Sequence, residues 1–170
     1  MKKFLLVAAI AVCGMFSANA QGFKVGVNAG YTIGDEFFKE YYGLQVGLDV
    51  AYTWQVSENL NVGATTGYLR YFGEEKNISS GMLTLTIEAE DLGYIPVAGT
   101  LQYAFNESWF VGADLGYAIY VGEGNGDGGF YYVPKVGWMN ESIELYVAYR
   151  GISIEGGSSS VIGLGVAYKF

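Results

Sequence analysis

Seven ionisable side chains interrupt the alternating apolar segments of this chain. Grouped carboxylates could act as a general acid and base, and mixed charges could line a hydrophilic conduit. A third interpretation is a network of paired charges that fills a protein interior. The seven residues are Lys24, Asp49, Asp114, Lys135, Glu144, Arg150 and Lys169.

The amino-acid composition excludes several kinds of enzyme. The chain has no histidine, so Ser-His-Asp and Cys-His hydrolases and His-ligated zinc sites are excluded. A catalytic carboxylate pair drawn from Asp49, Asp114 and Glu144 has no accompanying cleft or partner motif. We therefore predict a protein that is not an enzyme and has no cofactor or catalytic metal.

The elements that carry these charges alternate with period two, as strands do. The last segment is the clearest, with Ile162, Leu164, Val166, Tyr168 and Phe170 on one face. Glycine, which occurs 26 times in 170 residues, dominates the opposite faces. There are eight such segments, each about nine to eleven residues long, which is the length of a tilted membrane-spanning strand.

The connections between the segments alternate between short and long. The short ones span 55–59, 106–108 and 139–142, and the long ones span 32–42, 73–81, 122–129 and 152–160. Short turns on one side and long loops on the other are typical of an outer-membrane barrel with periplasmic turns. Residues 21–170 therefore predict an all-β fold, an eight-stranded antiparallel up-and-down transmembrane β-barrel. We expect residues 83–90 to extend beyond the membrane as a hairpin with residues that follow Tyr68.

The charges determine which face of the barrel meets lipid. A soluble sandwich would expose a face made mainly of glycine, which is an unusual wet surface. A barrel with its charges outward would place lysines in hydrocarbon at about 2–4 kcal/mol for each midplane residue. The sequence therefore predicts that the apolar face contacts lipid and that the charges face the lumen.

Two interpretations of the lumen remain open, a conduit and a plug of paired charges. Eight strands leave an interior just wide enough for side chains. Tyr120, Tyr131 and Tyr146 lie on the inward faces and would fill part of it. We favour the plug and keep a narrow porin or small-solute channel as the alternative.

The aromatic residues on the outward faces predict two membrane-interface girdles. All three tryptophans lie next to short turns, and four tyrosines lie near the opposite strand ends. The first girdle would contain Trp54, Trp109 and Trp138, and the second Tyr31, Tyr68, Tyr117 and Tyr149.

The first 20 residues have the pattern of a cleaved secretory signal. Lys2 and Lys3 precede a short apolar run, and Ala18-Asn19-Ala20 is a typical cleavage site before Gln21. The run is too short for a transmembrane helix. A lipoprotein modified at Cys13 is the weaker alternative, because Val12 stands where a small residue is normally found.

The charge balance is acidic, with a formal net charge of −8, and basic residues form no stripe. Binding of nucleic acid is therefore not expected. The long connections contain most of the acids, which we interpret as a solvated rim rather than as a site for divalent ions.

Residues 123–128 resemble half of a calcium loop, but Pro134 stands where that loop needs an acid. Asn106-Glu107-Ser108 and Asn140-Glu141-Ser142 are typical of turns.

Two prolines lie inside predicted strands. A closed barrel has no free edge, so Pro96 and Pro134 are each expected to interrupt a ladder or to occupy a bulge.

The C-terminal pattern Leu164-x-Val166-x-Tyr168-x-Phe170 and the motif Tyr94-Ile95-Pro96 resemble small Gram-negative outer-membrane β-barrel proteins of the OmpX-like, OmpW-like and OmpA-barrel group. The resemblance covers residues 22–170. It implies residence in the cell outer membrane as a monomer, in contact with lipid and lipopolysaccharide. It also implies that the C-terminal residues are a signal for the barrel assembly machinery.

Overall fold

The computed structural model describes residues 22–34, 39, 41–80, 83–88, 90–122 and 126–170. The predicted signal segment 1–20 and parts of the loops 32–42 and 122–129 lie outside the described residues. No helix within the described ranges is long and apolar enough to cross a membrane. The strands are β1 Phe23–Gly34, β2 Tyr42–Ser57, β3 Leu60–Gly73, β4 Glu75–Ser80, β5 Leu83–Glu88, β6 Leu92–Ala104, β7 Trp109–Tyr120, β8 Gly129–Met139, β9 Ile143–Ile154 and β10 Gly157–Lys169.

Eight of these strands form one closed antiparallel barrel in the order β1-β10-β9-β8-β7-β6-β3-β2. The strands are staggered around it. Following paired residues from Lys24 through each strand in turn leads back to β1 at Gly34. Such a stagger means that the strands tilt relative to the barrel axis. The predicted eight-stranded up-and-down barrel is confirmed.

The strands β4 and β5 form a separate two-stranded sheet between β3 and β6. They pair from Glu75 with Glu88 to Ser80 with Leu83. The predicted hairpin is therefore confirmed for residues 83–88, and its extension beyond the membrane stays a prediction, whereas the prediction of a loop over 73–81 was wrong for most of its length.

The connection between β9 and β10 also differs from the prediction. Residues 152–160 were expected to form a long loop, but β9 continues to Ile154 and β10 begins at Gly157. Gly156 closes the turn at a φ of 90°, a conformation that glycine adopts without strain. The Ser and Gly residues that suggested a loop belong to paired strand ends.

Both strand prolines interrupt a ladder without changing its register. Between β3 and β6, the residues between the pairs Thr66–Val97 and Leu69–Tyr94 are unpaired, and Pro96 lies in this gap. Between β8 and β9, the gap lies between the pairs Tyr132–Gly151 and Lys135–Ala148, and it contains Pro134. The Thr66 hydroxyl donates a 2.8 Å hydrogen bond to the Pro96 carbonyl, which satisfies that acceptor at the first gap.

The two faces of the barrel wall differ sharply in exposure. Large apolar side chains on the outward face are exposed to solvent, with Leu115 57% and Leu164 67% exposed. Polar side chains on the inward face are buried, with Asp114 6% and Gln45 0% exposed. In water, this much exposed apolar surface would cost free energy that only a partner or a lipid phase could offset.

Candidate functional site

The lumen near the short turns holds a three-residue polar cluster. Lys24 is the second residue of β1, Gln102 lies near the end of β6, and Glu144 is the second residue of β9. The Lys24 ammonium donates to Glu144 Oε1 at 2.6 Å and to Gln102 Oε1 at 2.7 Å. Gln102 also donates to Glu144 at 3.1 Å. These contacts close a triangle across the barrel, and both bonds to Glu144 converge on its Oε1.

A second ion pair lies further along the lumen. Lys135 Nζ is 2.8 Å and 2.9 Å from the two carboxylate oxygens of Asp114. The Thr100 hydroxyl donates to the same carboxylate at 2.5 Å. β7 and β8 are neighbouring strands, and Asp114 lies diagonally across from Lys135, whose direct partner is Gly112. The missing side chain at Gly112 gives Lys135 room to lean toward Asp114.

The third group surrounds Asp49. Asn28 donates to this carboxylate at 2.5 Å, and the Tyr146 hydroxyl donates at 3.3 Å. The Arg150 guanidinium approaches it only to 4.0 Å. Arg150 instead donates to Gln45 Oε1 at 2.8 Å and to the Tyr131 hydroxyl at 3.2 Å.

The lumen therefore matches each inward acid with one inward base. Glu144 is paired with Lys24, Asp114 with Lys135, and Asp49 faces Arg150. None of these contacts brings two of the three carboxylates together. An arrangement in which each inward acid faces a base resembles a structural network more than a general acid–base site.

Lys169, the seventh predicted lumen residue, lies at the mouth of the barrel. It is half-buried and lines a cavity of about 630 Å³ together with Lys24, Gln102 and Glu144. This cavity is on the short-turn side, beside Glu58 and Phe170. A smaller polar cavity of about 40 Å³ lies deeper, against Asp49, Asp114 and Lys135.

The other half of the lumen is packed with large side chains. Tyr71, Tyr94 and Tyr120 form a chain of edge-to-face rings, with centroids 5.9 Å and 5.5 Å apart. We call these three residues the aromatic layer. They pack in one buried cluster with Leu69 and Ile152. The sequence predicts Tyr120 on an inward face, whereas Tyr71 and Tyr94 were not among the predicted lumen residues.

The predicted girdle residues lie on the outward face, at two levels. Trp109 pairs directly with Trp138 across β7 and β8 at the short-turn end, and Trp54 is exposed near the end of β2. Of the tyrosines, Tyr31, Tyr68 and Tyr117 are exposed. Tyr149 is half-buried and donates to the Ser160 hydroxyl at 2.8 Å. Whether these rings contact lipid headgroups stays a prediction.

The C-terminal residues lie on the outer wall as well. Leu164, Val166, Tyr168 and Phe170 are all exposed. The Phe170 amide donates to the Phe23 carbonyl at 3.0 Å, and the two rings lie 5.6 Å apart. The last residue therefore joins the first strand of the barrel. Their role as an assembly signal stays a prediction.

At the long-connection end, Asp91 anchors the base of the hairpin. Its carboxylate accepts hydrogen bonds from the Gly73 amide and from Arg70 Nε, both at 2.9 Å. The Gly73 amide and the Arg70 guanidinium hold the pKa of Asp91 below its ordinary value.

The acids Glu74, Glu90, Asp127 and Glu155 are exposed. Asp35, Glu36, Glu40 and Glu123 lie outside the described residues.

Two of the three short turns are closed by asparagine side chains, as their sequences predicted. Asn106 Oδ1 accepts from the amides of Ser108 and Trp109, and Asn140 Oδ1 accepts from those of Ser142 and Ile143. The part of the chain that the structure describes contains no cluster of three Asp, Glu, Cys or His residues suited to a metal ion.

Comparison with known proteins identifies the fold. No protein-family model and no curated protein matches the chain. A de novo designed transmembrane β-barrel matches at 14% identity over 89% of this chain and 98% of its own, with a TM-score of 0.54. Ail, the attachment invasion locus protein of Yersinia pestis, matches at 13% identity over 88% and 97%, with a TM-score of 0.52. The chain therefore has the fold of small transmembrane β-barrels, the group that its sequence resembles.

Proposed function

We propose that the protein is an integral outer-membrane β-barrel with a structural or surface-interaction role, a mostly plugged lumen and no enzymatic activity. The observation that carries this proposal is the sidedness of the wall. Large apolar side chains are exposed outward while charged ones are buried and paired inward. A lipid exterior is the environment in which that arrangement is stable.

The outward wall indicates where the membrane boundaries would lie. Trp54, Trp109 and Trp138 would mark the periplasmic interface, and Tyr31, Tyr68, Tyr117 and Tyr149 the opposite one. Lipopolysaccharide and lipid would then be the main partners of a monomeric barrel. The barrel assembly machinery would read the C-terminal residues during biogenesis, after removal of residues 1–20.

A surface role is supported by what the barrel displays at its long-connection end. The β4–β5 hairpin is a separate sheet outside the barrel ladder, and the exposed acids Glu74 and Glu90 flank it in the chain. The Yersinia pestis protein with the same fold is an attachment invasion locus protein. This shared fold supports interaction through loops held on a rigid barrel.

The surface role is tested by trimming residues 35–41 and 74–90, which lie outside the eight barrel strands, and measuring adhesion to host cells or matrix proteins. Loss of binding with an intact barrel, checked by the heat-dependent shift of its gel mobility, would support the role. Trimming the β9–β10 turn at Glu155 and Gly156 is the matched control. Unchanged adhesion in the loop variants would contradict a surface role for these loops.

A narrow channel for small solutes is the second candidate. It is favoured by the two polar cavities that extend from the short-turn mouth to the Asp114–Lys135 pair. Single-channel recording in planar bilayers separates the candidates. Discrete conductance that changes in Lys135→Glu would support the channel, and a silent bilayer would support the plug.

A further inference from the structure

The two cavities on the short-turn side lie next to each other and share part of their lining. Lys24, Thr53, Gln102 and Glu144 line both the cavity of about 630 Å³ at the mouth and the inner cavity of about 40 Å³. A cavity needs a volume of only about 10–15 Å³, together with polar groups that can hydrogen-bond, to hold a water molecule. The inner cavity provides those partners in Asp49, Asp114 and Lys135.

The lumen changes character beyond this inner cavity. Ala98 and Ala118 are buried there, in the same cluster as the aromatic layer. Tyr71 is fully buried, and Tyr94 contacts both of its aromatic neighbours edge to face. Gln45, the direct cross-strand partner of Tyr71, is also fully buried and accepts a hydrogen bond from Arg150. The region is therefore closely packed, and we expect it to be a dry barrier to a passing ion or solute.

We propose that the lumen is a blind vestibule that admits water and small hydrophilic solutes from the short-turn end and is closed by the aromatic layer. The inference rests on the proposed function, because it takes the chain to be a lipid-embedded barrel without an open pore. It adds which end of the lumen is wet, how deep the wet part reaches and which residues close it.

The residues of β6 place the two regions on one strand. Ala104 lines the mouth cavity, and Thr100 lines the inner cavity. Ala98, two residues further along the same inward face, belongs to the dry cluster. The boundary between the wet and dry regions therefore lies next to the Thr100–Asp114 hydrogen bond.

Thiol accessibility tests this boundary directly. Cys13 is the only cysteine, so a chain that starts at Gln21 has no competing thiol. Ala104→Cys and Ala98→Cys introduce the same small change on one strand. Each variant is folded into lipid nanodiscs, where both barrel ends are open to solvent, and reacted with a small charged methanethiosulfonate. Ala118→Cys is a second barrier variant, and the heat-dependent gel shift selects folded protein.

The expected result is rapid modification of Ala104→Cys. Modification of Ala98→Cys and Ala118→Cys should be at least about 100-fold slower, because it requires local opening of the packed layer. An unreactive thiol in folded Ala104→Cys would overturn the vestibule and leave the plugged lumen intact. Rapid reaction of all three variants would overturn both the aromatic barrier and the plugged lumen. In Tyr71→Ala combined with Tyr94→Ala, reaction at Ala98→Cys should accelerate, whereas no acceleration would overturn the role of the aromatic layer.

Discussion

The ring of Tyr146 lies over its cross-strand partner Gly165 inside the lumen. A Cβ atom at position 165 would stand 2.2 Å from Tyr146 Cζ, much closer than two carbon atoms can approach. The absence of a side chain at Gly165 thus lets Tyr146 reach the Asp49 carboxylate, to which its hydroxyl donates. Glycine on the inward face here leaves space for the large side chain of its cross-strand neighbour.

Gly165→Ala should therefore destabilise the barrel. The new methyl group would displace the Tyr146 ring and its hydrogen bond to Asp49, at a cost of about 1–3 kcal/mol for overpacking. Urea unfolding in lipid vesicles, followed by tryptophan fluorescence, measures the change. Gly157→Ala is the matched control, because nothing lies within 4 Å of its added Cβ atom. Equal stability of the two variants would contradict the packing described for Tyr146.

Asp114→Asn should leave the Lys135 ammonium without its carboxylate. Removing one member of a buried pair costs about 3–5 kcal/mol, and we expect the lower end because the inner cavity adjoins this pair. The same unfolding assay measures the loss. Combining Asp114→Asn with Lys135→Met removes the stranded charge and should restore much of the stability. A double variant as unstable as the sum of the single variants would show that the two residues do not interact.

Thr32→Val should stabilise the protein. The Thr32 hydroxyl is fully buried and has no hydrogen-bond partner among the residues that the structure describes. Replacing it with a methyl group of the same shape removes a desolvation cost of about 1–3 kcal/mol. Thr100→Val is the contrasting variant and should destabilise, because the Thr100 hydroxyl donates to Asp114. A loss of stability in Thr32→Val would mean that a water molecule satisfies that hydroxyl.

The base of the hairpin should loosen at acidic pH. The pKa of Asp91 is lowered in the folded protein, so its carboxylate stabilises the fold at neutral pH. That contribution is lost as the pH falls through the lowered pKa. It should stay below about 1 kcal/mol, because the Arg70–Asp91 pair is largely exposed. An NMR titration of the Gly73 amide should report the transition, and Asp91→Asn should abolish it. A Gly73 amide that titrates alike in both proteins would contradict this anchor.

Much of the barrel was predictable because strand alternation couples each residue to its neighbours. With Leu164 on the outward face, Gly165 must face the lumen, and the same rule holds along a strand wherever no register shift interrupts it. The Asn106 and Asn140 side chains accept hydrogen bonds from amides within their own turns. These two short turns could therefore be predicted from the local sequence alone.

Other features depend on the stagger of the closed barrel, which no local pattern contains. Lys24 and Glu144 are 120 residues apart, and only the register of the strands brings them together. The aromatic layer was missed in part because Tyr71 and Tyr94 lie where apolar alternation fades. The ends of β9 and β10 were missed because Gly and Ser residues are typical of loops, although here the strands pair through them.

We expect the apolar face of the wall to contact acyl chains while the charged face surrounds the axis. Spin labels on single cysteines in a chain starting at Gln21 test it by collision with oxygen, which concentrates in lipid, and with a nickel chelate, which stays in water. Labels at Leu115→Cys and Leu164→Cys should collide mainly with oxygen, and a label at the vestibule position Ala104→Cys mainly with the nickel chelate. Preferential collision of the Leu115 and Leu164 labels with the nickel chelate would contradict the account.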